Sequence, residues 1–98
     1  MRVKLSDLAA ADLKEIGEHY RRVVDQDLAR RMVGRIKVAV LGLAEFPESA
    51  PPYELVPGTR CLVVANGLYL VFYRVTEVVE VLHVRRAELA PVVGDDFG

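Results

Sequence analysis

Residues 59–86 read TRCLVVANGLYLVFYRVTEVVEVLHVRR, and they decide the fold because two very short breaks separate three apolar runs. The first break is Asn66-Gly67, a dipeptide typical of the type I′ hairpin turn, in which both central residues need a positive φ. The second break is Thr76-Glu77. The runs are rich in Val, Leu, Tyr and Phe, which favour a pleated, buried surface. The stretch therefore predicts a three-stranded antiparallel meander that packs on another layer.

An amphipathic helix is predicted near the start of the chain. Residues 2–5 alternate in polarity and predict a short strand, after which Ser6 or Asp7 begins a helix that ends near Val24. Its apolar positions recur with helical spacing and form one stripe, made of Ala9, Leu13, Ile16 and Tyr20.

A second helix is predicted from about Asp27 to Glu45, with Asp25 or Gln26 at its start. Only a residue or two separates it from the first helix, so the two should pack as an antiparallel αα-hairpin. Gly34 and Gly42 lie on nearly the same face of this helix, where each costs about 1 kcal/mol relative to Ala. We expect them to allow close packing against the first helix; the alternative is the close approach of a partner's backbone.

The remaining segments complete the domain. Four prolines between residues 47 and 58 predict an extended connecting loop. The element order is then β-α-α-β-β-β, which predicts an α+β fold with an antiparallel αα-hairpin packed on one face of a small, mainly antiparallel sheet. We expect residues 1–88 to form the domain and residues 89–98 to form a C-terminal tail.

Composition limits the function. The chain has 98 residues, 52% of them apolar, and a net charge of -1, which gives no support to direct nucleic-acid binding. The apolar excess suggests a surface that a partner covers. A single cysteine, Cys61, allows no internal disulfide and is expected to pack inside its strand. The sequence has no signal peptide and no apolar run long enough to span a membrane, so we expect a cytoplasmic protein.

No pattern in the sequence predicts a catalytic residue, a metal site or a cofactor. The two histidines, His19 and His83, do not have metal-ligand spacing, and no glycine-rich phosphate loop occurs. His19 is expected to lie in solvent on the first helix. His83 lies in the last strand, where it can act either as a general base or as a structural hydrogen-bonding group. Strict alternation places His83 and Arg85 on the same face as Val79 and Val81.

Basic residues mark the ends of the meander strands. Simple antiparallel pairing predicts that Arg60 and Arg74 share one end of the sheet, away from Arg85 and Arg86. Two interpretations are open for the four arginines. Either they extend into solvent, or they form a cluster that contacts a phosphate or an acidic partner.

Several short patterns occur in order along residues 3–86. The first helix contributes Ala9, Asp12, Leu13, Glu15, Ile16 and Tyr20. The loop contributes a Phe-Pro-Glu around Pro47, then Gly58 and Arg60. The middle strand contributes Tyr69, Val71, Tyr73, Arg74 and Val75, and the last strand is VVEVLHVRR at 78–86. Their order and spacing resemble the ParE/RelE superfamily of bacterial type II toxins.

The members of this superfamily have two kinds of activity. RelE-like members cleave messenger RNA on the ribosome with lysines, arginines and a tyrosine near the C-terminus. Here no lysine follows Lys37, no tyrosine follows Tyr73, and the loop before the meander reads Pro-Pro-Tyr-Glu at 51–54. The chain is more similar to the ParE-like branch, whose members poison DNA gyrase without a nuclease site.

The resemblance therefore implies a gyrase-binding toxin that is not an enzyme. The alternatives are a RelE-like ribosome-dependent ribonuclease and a binding module that has lost its toxicity. The candidates for target binding are Arg60, Arg74, His83, Arg85 and Arg86.

The resemblance also implies a partner. A cognate ParD-like antitoxin, usually with a ribbon-helix-helix DNA-binding domain, is expected to lie along the αα-hairpin and one sheet edge. Its acidic segment would pair with Arg30, Arg31 and Arg74. The toxin would then meet DNA only through the antitoxin, and no membrane partner is expected.

Overall fold

The computed structural model describes residues 1–89 and 91–97. In chain order the main elements are β1 (Val3–Leu5), α1 (Asp7–Val23), α2 (Gln26–Gly42), β2 (Arg60–Val64), β3 (Tyr69–Val75) and β4 (Val79–Arg86). The strand order across the sheet is β1-β4-β3-β2. β1 runs parallel to β4, and the other neighbours are antiparallel. The predicted α+β fold with element order β-α-α-β-β-β is confirmed.

Each helix begins at a side chain that accepts a hydrogen bond from the first turn. The Ser6 hydroxyl accepts from the Ala9 N–H at 3.0 Å, and the Asp25 carboxylate accepts from the Leu28 N–H at 2.8 Å. The helix starts are therefore as predicted. α2, however, ends at Gly42, three residues before the predicted Glu45, because the chain continues there in tighter turns.

The predicted role of two glycines is wrong. A Cβ atom added at Gly34 or Gly42 would meet nothing within 4 Å, so neither glycine packs against α1. The close contact between the helices occurs at Gly17 instead, where an added Cβ would lie 3.3 Å from Cγ2 of Val33. At Gly17 an added methyl group would therefore crowd Val33 of the neighbouring helix.

The two central residues of the first turn have the predicted positive φ, but the connection is longer than the predicted two residues, because Val64 pairs with Tyr69 and residues 65–68 lie between them. Asn66 has φ 56° and ψ 37°, and Gly67 has φ 87°. The Leu68 N–H donates to the Ala65 carbonyl at 3.2 Å and closes the turn. Ala65 also has a positive φ, of 53°, so β2 stops one residue short of the turn.

The second connection differs from the prediction. Val75 pairs with Val79, so the loop contains three residues (76–78) where two were expected. The Thr76 N–H donates to the Val78 carbonyl at 2.9 Å and stabilises this longer loop.

A β-bulge in β4 overturns the predicted alternation of its faces. Phe72 pairs with His83, but the next residue, Tyr73, pairs with Val81, so Leu82 is an extra residue in β4. Val79, Val81 and Val84 all join the core beneath the helices. The prediction that His83 and Arg85 share the face of Val79 and Val81 is wrong, because the extra residue moves both to the opposite face.

Both faces of the sheet are covered to some degree. The helices cover one face through a core that includes Ile36, Val71 and Tyr73, each 0% exposed. On the other face, Phe72 contacts Tyr53 from the proline-rich loop and Phe97 from the tail, with ring centroids 4.9 and 5.6 Å away. Among the described residues, no helix has both the length and the apolar character of a membrane span.

The glycine findings lead to a first prediction. Gly34→Ala should raise the free energy of unfolding by about 1 kcal/mol, because Ala favours the helix and its methyl group meets open space. Gly17→Ala should raise the free energy of unfolding by less, because its methyl group would press on Val33. Urea denaturation of both variants measures the difference, and an equal gain at the two positions would contradict the packing described for Gly17.

Candidate functional site

A polar cleft lies between α1 and β4. β1 pairs with β4 only along Val79–Val81, so beyond that point α1 lies next to the β4 edge. The cleft along this edge has a volume of about 520 Å³. The polar and charged side chains that line it are Asp12, Glu15, Glu18, His19, Arg22, Tyr69, His83, Arg85 and Arg86.

Asp12 joins α1 to the edge of β4. One oxygen of its carboxylate, Oδ2, lies 2.6 Å from Nδ1 of His83 and accepts the Val84 N–H at 2.9 Å. An ionised carboxylate only accepts hydrogen bonds, so a His83 tautomer with its proton on Nδ1 donates to Asp12 in this contact. Ser6 adds to the junction, since its N–H donates to the Val81 carbonyl at 2.9 Å and its hydroxyl to the Leu82 carbonyl at 3.0 Å.

These bonds give His83 a structural role. Its ring is fixed by Asp12 on one side and by Phe72 and Phe97 on the other, with ring centroids 6.3 and 6.1 Å away. Of the two roles that the sequence left open for His83, the structural hydrogen bond is the one that the geometry shows. Among the described residues, no three His, Cys, Asp or Glu side chains are grouped so that they could hold a metal ion.

The two arginines at the end of β4 have different surroundings. Arg86 is about half exposed and forms an ion pair with Glu88. Arg85 is mostly buried, with 17% of its side chain exposed, and its NH1 lies 4.0 Å from Oδ2 of Asp96, beyond hydrogen-bonding distance. Its Nε is buried and has no hydrogen-bond partner in the part of the chain that the structure describes.

Two tyrosines meet at the inner wall of the cleft. The Tyr69 hydroxyl donates to the Tyr20 hydroxyl at 3.2 Å. Burial raises the pKa of Tyr69 far above its ordinary value, and the hydrogen bond with Tyr20 raises this pKa further. The Tyr69 hydroxyl therefore stays protonated at neutral pH and acts as a hydrogen-bonding group.

Two target-binding candidates lie away from the cleft. As predicted, Arg60 and Arg74 are at the same end of the sheet, since Arg60 pairs with Tyr73. The Arg60 guanidinium donates to the Ala50 carbonyl at 2.7 Å and so holds the proline-rich loop. Arg74 is exposed and forms an ion pair with Glu80 at 2.8 Å.

A second, more apolar groove lies on the opposite side of the domain, between α2 and the edge strand β2. It has a volume of about 780 Å³. Large exposed apolar side chains surround it, and the two α2 glycines lie at its wall; the groove is lined in part by Gly34, Val38, Gly42, Phe46 and Val63. Arg30 and Arg31 are exposed on the same helix, α2.

The structure thus brings three predicted residues into one cleft and adds six polar residues that the sequence analysis did not select as site candidates. His83, Arg85 and Arg86 are the predicted ones. The added residues are Tyr69 from β3 and five from α1, namely Asp12, Glu15, Glu18, His19 and Arg22. Asp12 could have been selected from the sequence, because it lies one helical turn from Ala9 and Ile16 and therefore within the buried stripe of α1. A carboxylate buried there needs a hydrogen-bond partner.

Comparison with known proteins gives consistent matches. The sequence model of a family described as the ParE toxin of the type II toxin-antitoxin system, parDE, matches residues 3–90. A protein of Sinorhizobium fredii named "Putative toxin Y4kP" is 40% identical over 86 residues, which cover 88% of each chain. A solved structure of the chromosomal ParDE TA system from P. aeruginosa superposes with a TM-score of 0.80 at 30% identity, over 90% of this chain and 97% of the other.

The Asp12 junction leads to a second prediction. Asp12→Ala should lower the free energy of unfolding by about 1–3 kcal/mol, because the buried N–H of Val84 and Nδ1 of His83 both lose their acceptor. Asp12→Asn is the matched control and should lose less, since its amide oxygen can still accept the Val84 N–H. Chemical denaturation measures both, and wild-type stability in Asp12→Ala would show that this junction does not hold the fold.

Proposed function

Because this chain belongs to the ParE family, the toxins of parDE-type type II toxin–antitoxin systems, we propose that it inhibits DNA gyrase by direct binding and that a cognate antitoxin neutralises it. The match over residues 3–90 carries this proposal. The ParE family acts by binding and is not known for enzymes. The proposed mechanism is accordingly the occupation of a surface on gyrase, and its site of action is the cytoplasm.

The cleft between α1 and β4 is the proposed gyrase-binding surface. Three of the five candidate residues, His83, Arg85 and Arg86, line it. Partly buried arginines beside a concave surface are typical anchors of protein–protein interfaces. Arg60 and Arg74 lie at the far end of the sheet, and Arg60 is already bound to loop carbonyls, so we assign them no part in this surface.

The groove between α2 and β2 is the proposed docking surface for the antitoxin. It combines exposed apolar side chains with a sheet edge, which suits an extended or helical segment of a ParD-like protein. Arg30 and Arg31 on α2, together with Arg74 on β3, would pair with acidic residues of that segment. The antitoxin would also supply all contact with DNA.

A supercoiling assay with purified gyrase tests the proposed target. The wild-type protein should inhibit supercoiling, and the cognate antitoxin should restore it. A parallel assay on ribosomes programmed with messenger RNA covers the ribonuclease alternative. Messenger RNA cleavage without any effect on supercoiling would replace gyrase by the ribosome as the target. Expression without growth arrest would instead favour a binding module that has lost its toxicity.

The proposed antitoxin surface gives a third prediction. Combined Ala substitution at Arg30, Arg31 and Arg74 should weaken antitoxin binding by roughly tenfold or more, because three charge pairs at an interface are lost. Arg2→Ala is the control, since Arg2 is also exposed but belongs to neither α2 nor β3, the two elements that carry the three arginines. Calorimetric titration measures the affinities, and an unchanged affinity in the triple variant would remove these arginines from the interface.

A further inference from the structure

Arg85 is a mostly buried cation, and one of its donors is unsatisfied in the part of the chain that the structure describes. Its Nε is buried and has no hydrogen-bond partner among the described residues, although a guanidinium carries five N–H donors. A buried donor without an acceptor destabilises the fold that contains it, and such groups are rare in native proteins. The residues that the structure describes therefore leave the Nε donor of Arg85 available to an acceptor that a partner supplies.

Three carboxylates near Arg85, those of Asp12, Glu88 and Asp96, already contact other donors. Asp12 accepts from His83 and Val84 through the same oxygen. Glu88 is paired with Arg86. Asp96 accepts the Val93 N–H at 2.8 Å through Oδ2, and that oxygen lies 4.0 Å from Arg85. The position of Asp96 shows that a carboxylate fits near Arg85, but Asp96 lies too far away to accept a hydrogen bond from the guanidinium.

The charges of the cleft favour a single carboxylate over a chain of phosphates. Arg22, Arg85 and Arg86 line it together with the acidic side chains Asp12, Glu15 and Glu18. A nucleic-acid backbone would bring a row of negative charges against those acidic side chains, and the net charge of the protein, -1, does not offset them. One carboxylate within a protein segment brings a single negative charge, so the repulsion is smaller, and it matches the planar fork of an arginine.

We propose that Arg85 is an anchor that binds the carboxylate of an Asp or Glu side chain on the toxin's protein target within the α1–β4 cleft. This inference rests on the proposed function, in which the target is gyrase. Arg85 is held ready for that bond by its burial, at the expense of the stability of the unbound toxin.

The test compares affinity with stability in one variant. Arg85→Met keeps an unbranched side chain as far as the position of Nε and removes all the donors. Its Kd for purified gyrase in the absence of DNA should rise by about 30-fold or more, because the target's carboxylate loses a buried partner. Its melting temperature should equal or exceed that of the wild type, because the unpartnered donor is gone. Arg21→Met is the matched control, since Arg21 is exposed on α1 outside the cleft, and it should change neither value.

A second variant identifies the bound group. Arg85→Lys places an amine in the cleft, and a water-soluble carbodiimide should couple this amine to a carboxylate of gyrase that mass spectrometry can locate. A coupling product with an acidic residue of gyrase supports the proposal. Wild-type affinity of Arg85→Met, a melting temperature lowered together with the affinity, or a binding-competent Arg85→Lys that yields no coupling product would overturn it.

The experiment distinguishes a failure of the role proposed for Arg85 from a failure of the proposed function. If wild-type toxin binds gyrase and Arg85→Met binds equally well, the role of Arg85 fails while the proposed function stands. If wild-type toxin does not bind gyrase, the proposed function fails and the assignment of a gyrase carboxylate fails with it. An effect of Arg85→Met that requires DNA in the assay would assign the arginine to a phosphate and would also overturn the proposal.

Discussion

The carboxylate of Asp12 fixes the position of α1 against β4, on which the shape of the α1–β4 cleft depends. β1 pairs with only three residues of β4, so the rest of that strand edge needs other acceptors and donors. Asp12 satisfies the Val84 N–H and holds His83 at the same time. Because both contacts come from one residue of α1, the helix position, the strand edge and the imidazole orientation are fixed together. The cleft opens beyond this point, with Arg85 and Arg86 on the strand side.

The strand order separates two surfaces with different chemistry. β4 and β2 lie on opposite sides of β3, so the cleft beside β4 and the groove beside β2 lie on opposite sides of the domain. The cleft is lined by charged side chains of both signs, whereas the groove is surrounded by apolar ones. A toxin that must bind both a target and an antitoxin can use these surfaces separately. An antitoxin confined to the groove would then leave the cleft accessible, whereas one long enough to reach β4 would cover both.

The amino-acid sequence determined the features that depend on neighbouring residues. The Asn66-Gly67 turn follows from the positive φ that those residues tolerate, and the starts of both helices follow from the side chains of Ser6 and Asp25. The element order, the two-layer fold and the resemblance to ParE toxins were readable for the same reason, because each rests on local patterns in a fixed order. The shared location of Arg60 and Arg74 also followed, since it needs only antiparallel pairing.

Only the tertiary structure decided on which face of the sheet the candidate residues His83 and Arg85 lie. The extra residue at Leu82 moves His83 and Arg85 to the face opposite the core, and alternation along the sequence cannot reveal a bulge that arises from pairing with β3. The Asp12–His83 contact joins residues 71 positions apart. The missing acceptor of Arg85 depends on which donors its neighbouring carboxylates already bind. Such properties belong to contacts between distant segments, so they exist only once the helices and the sheet have packed together.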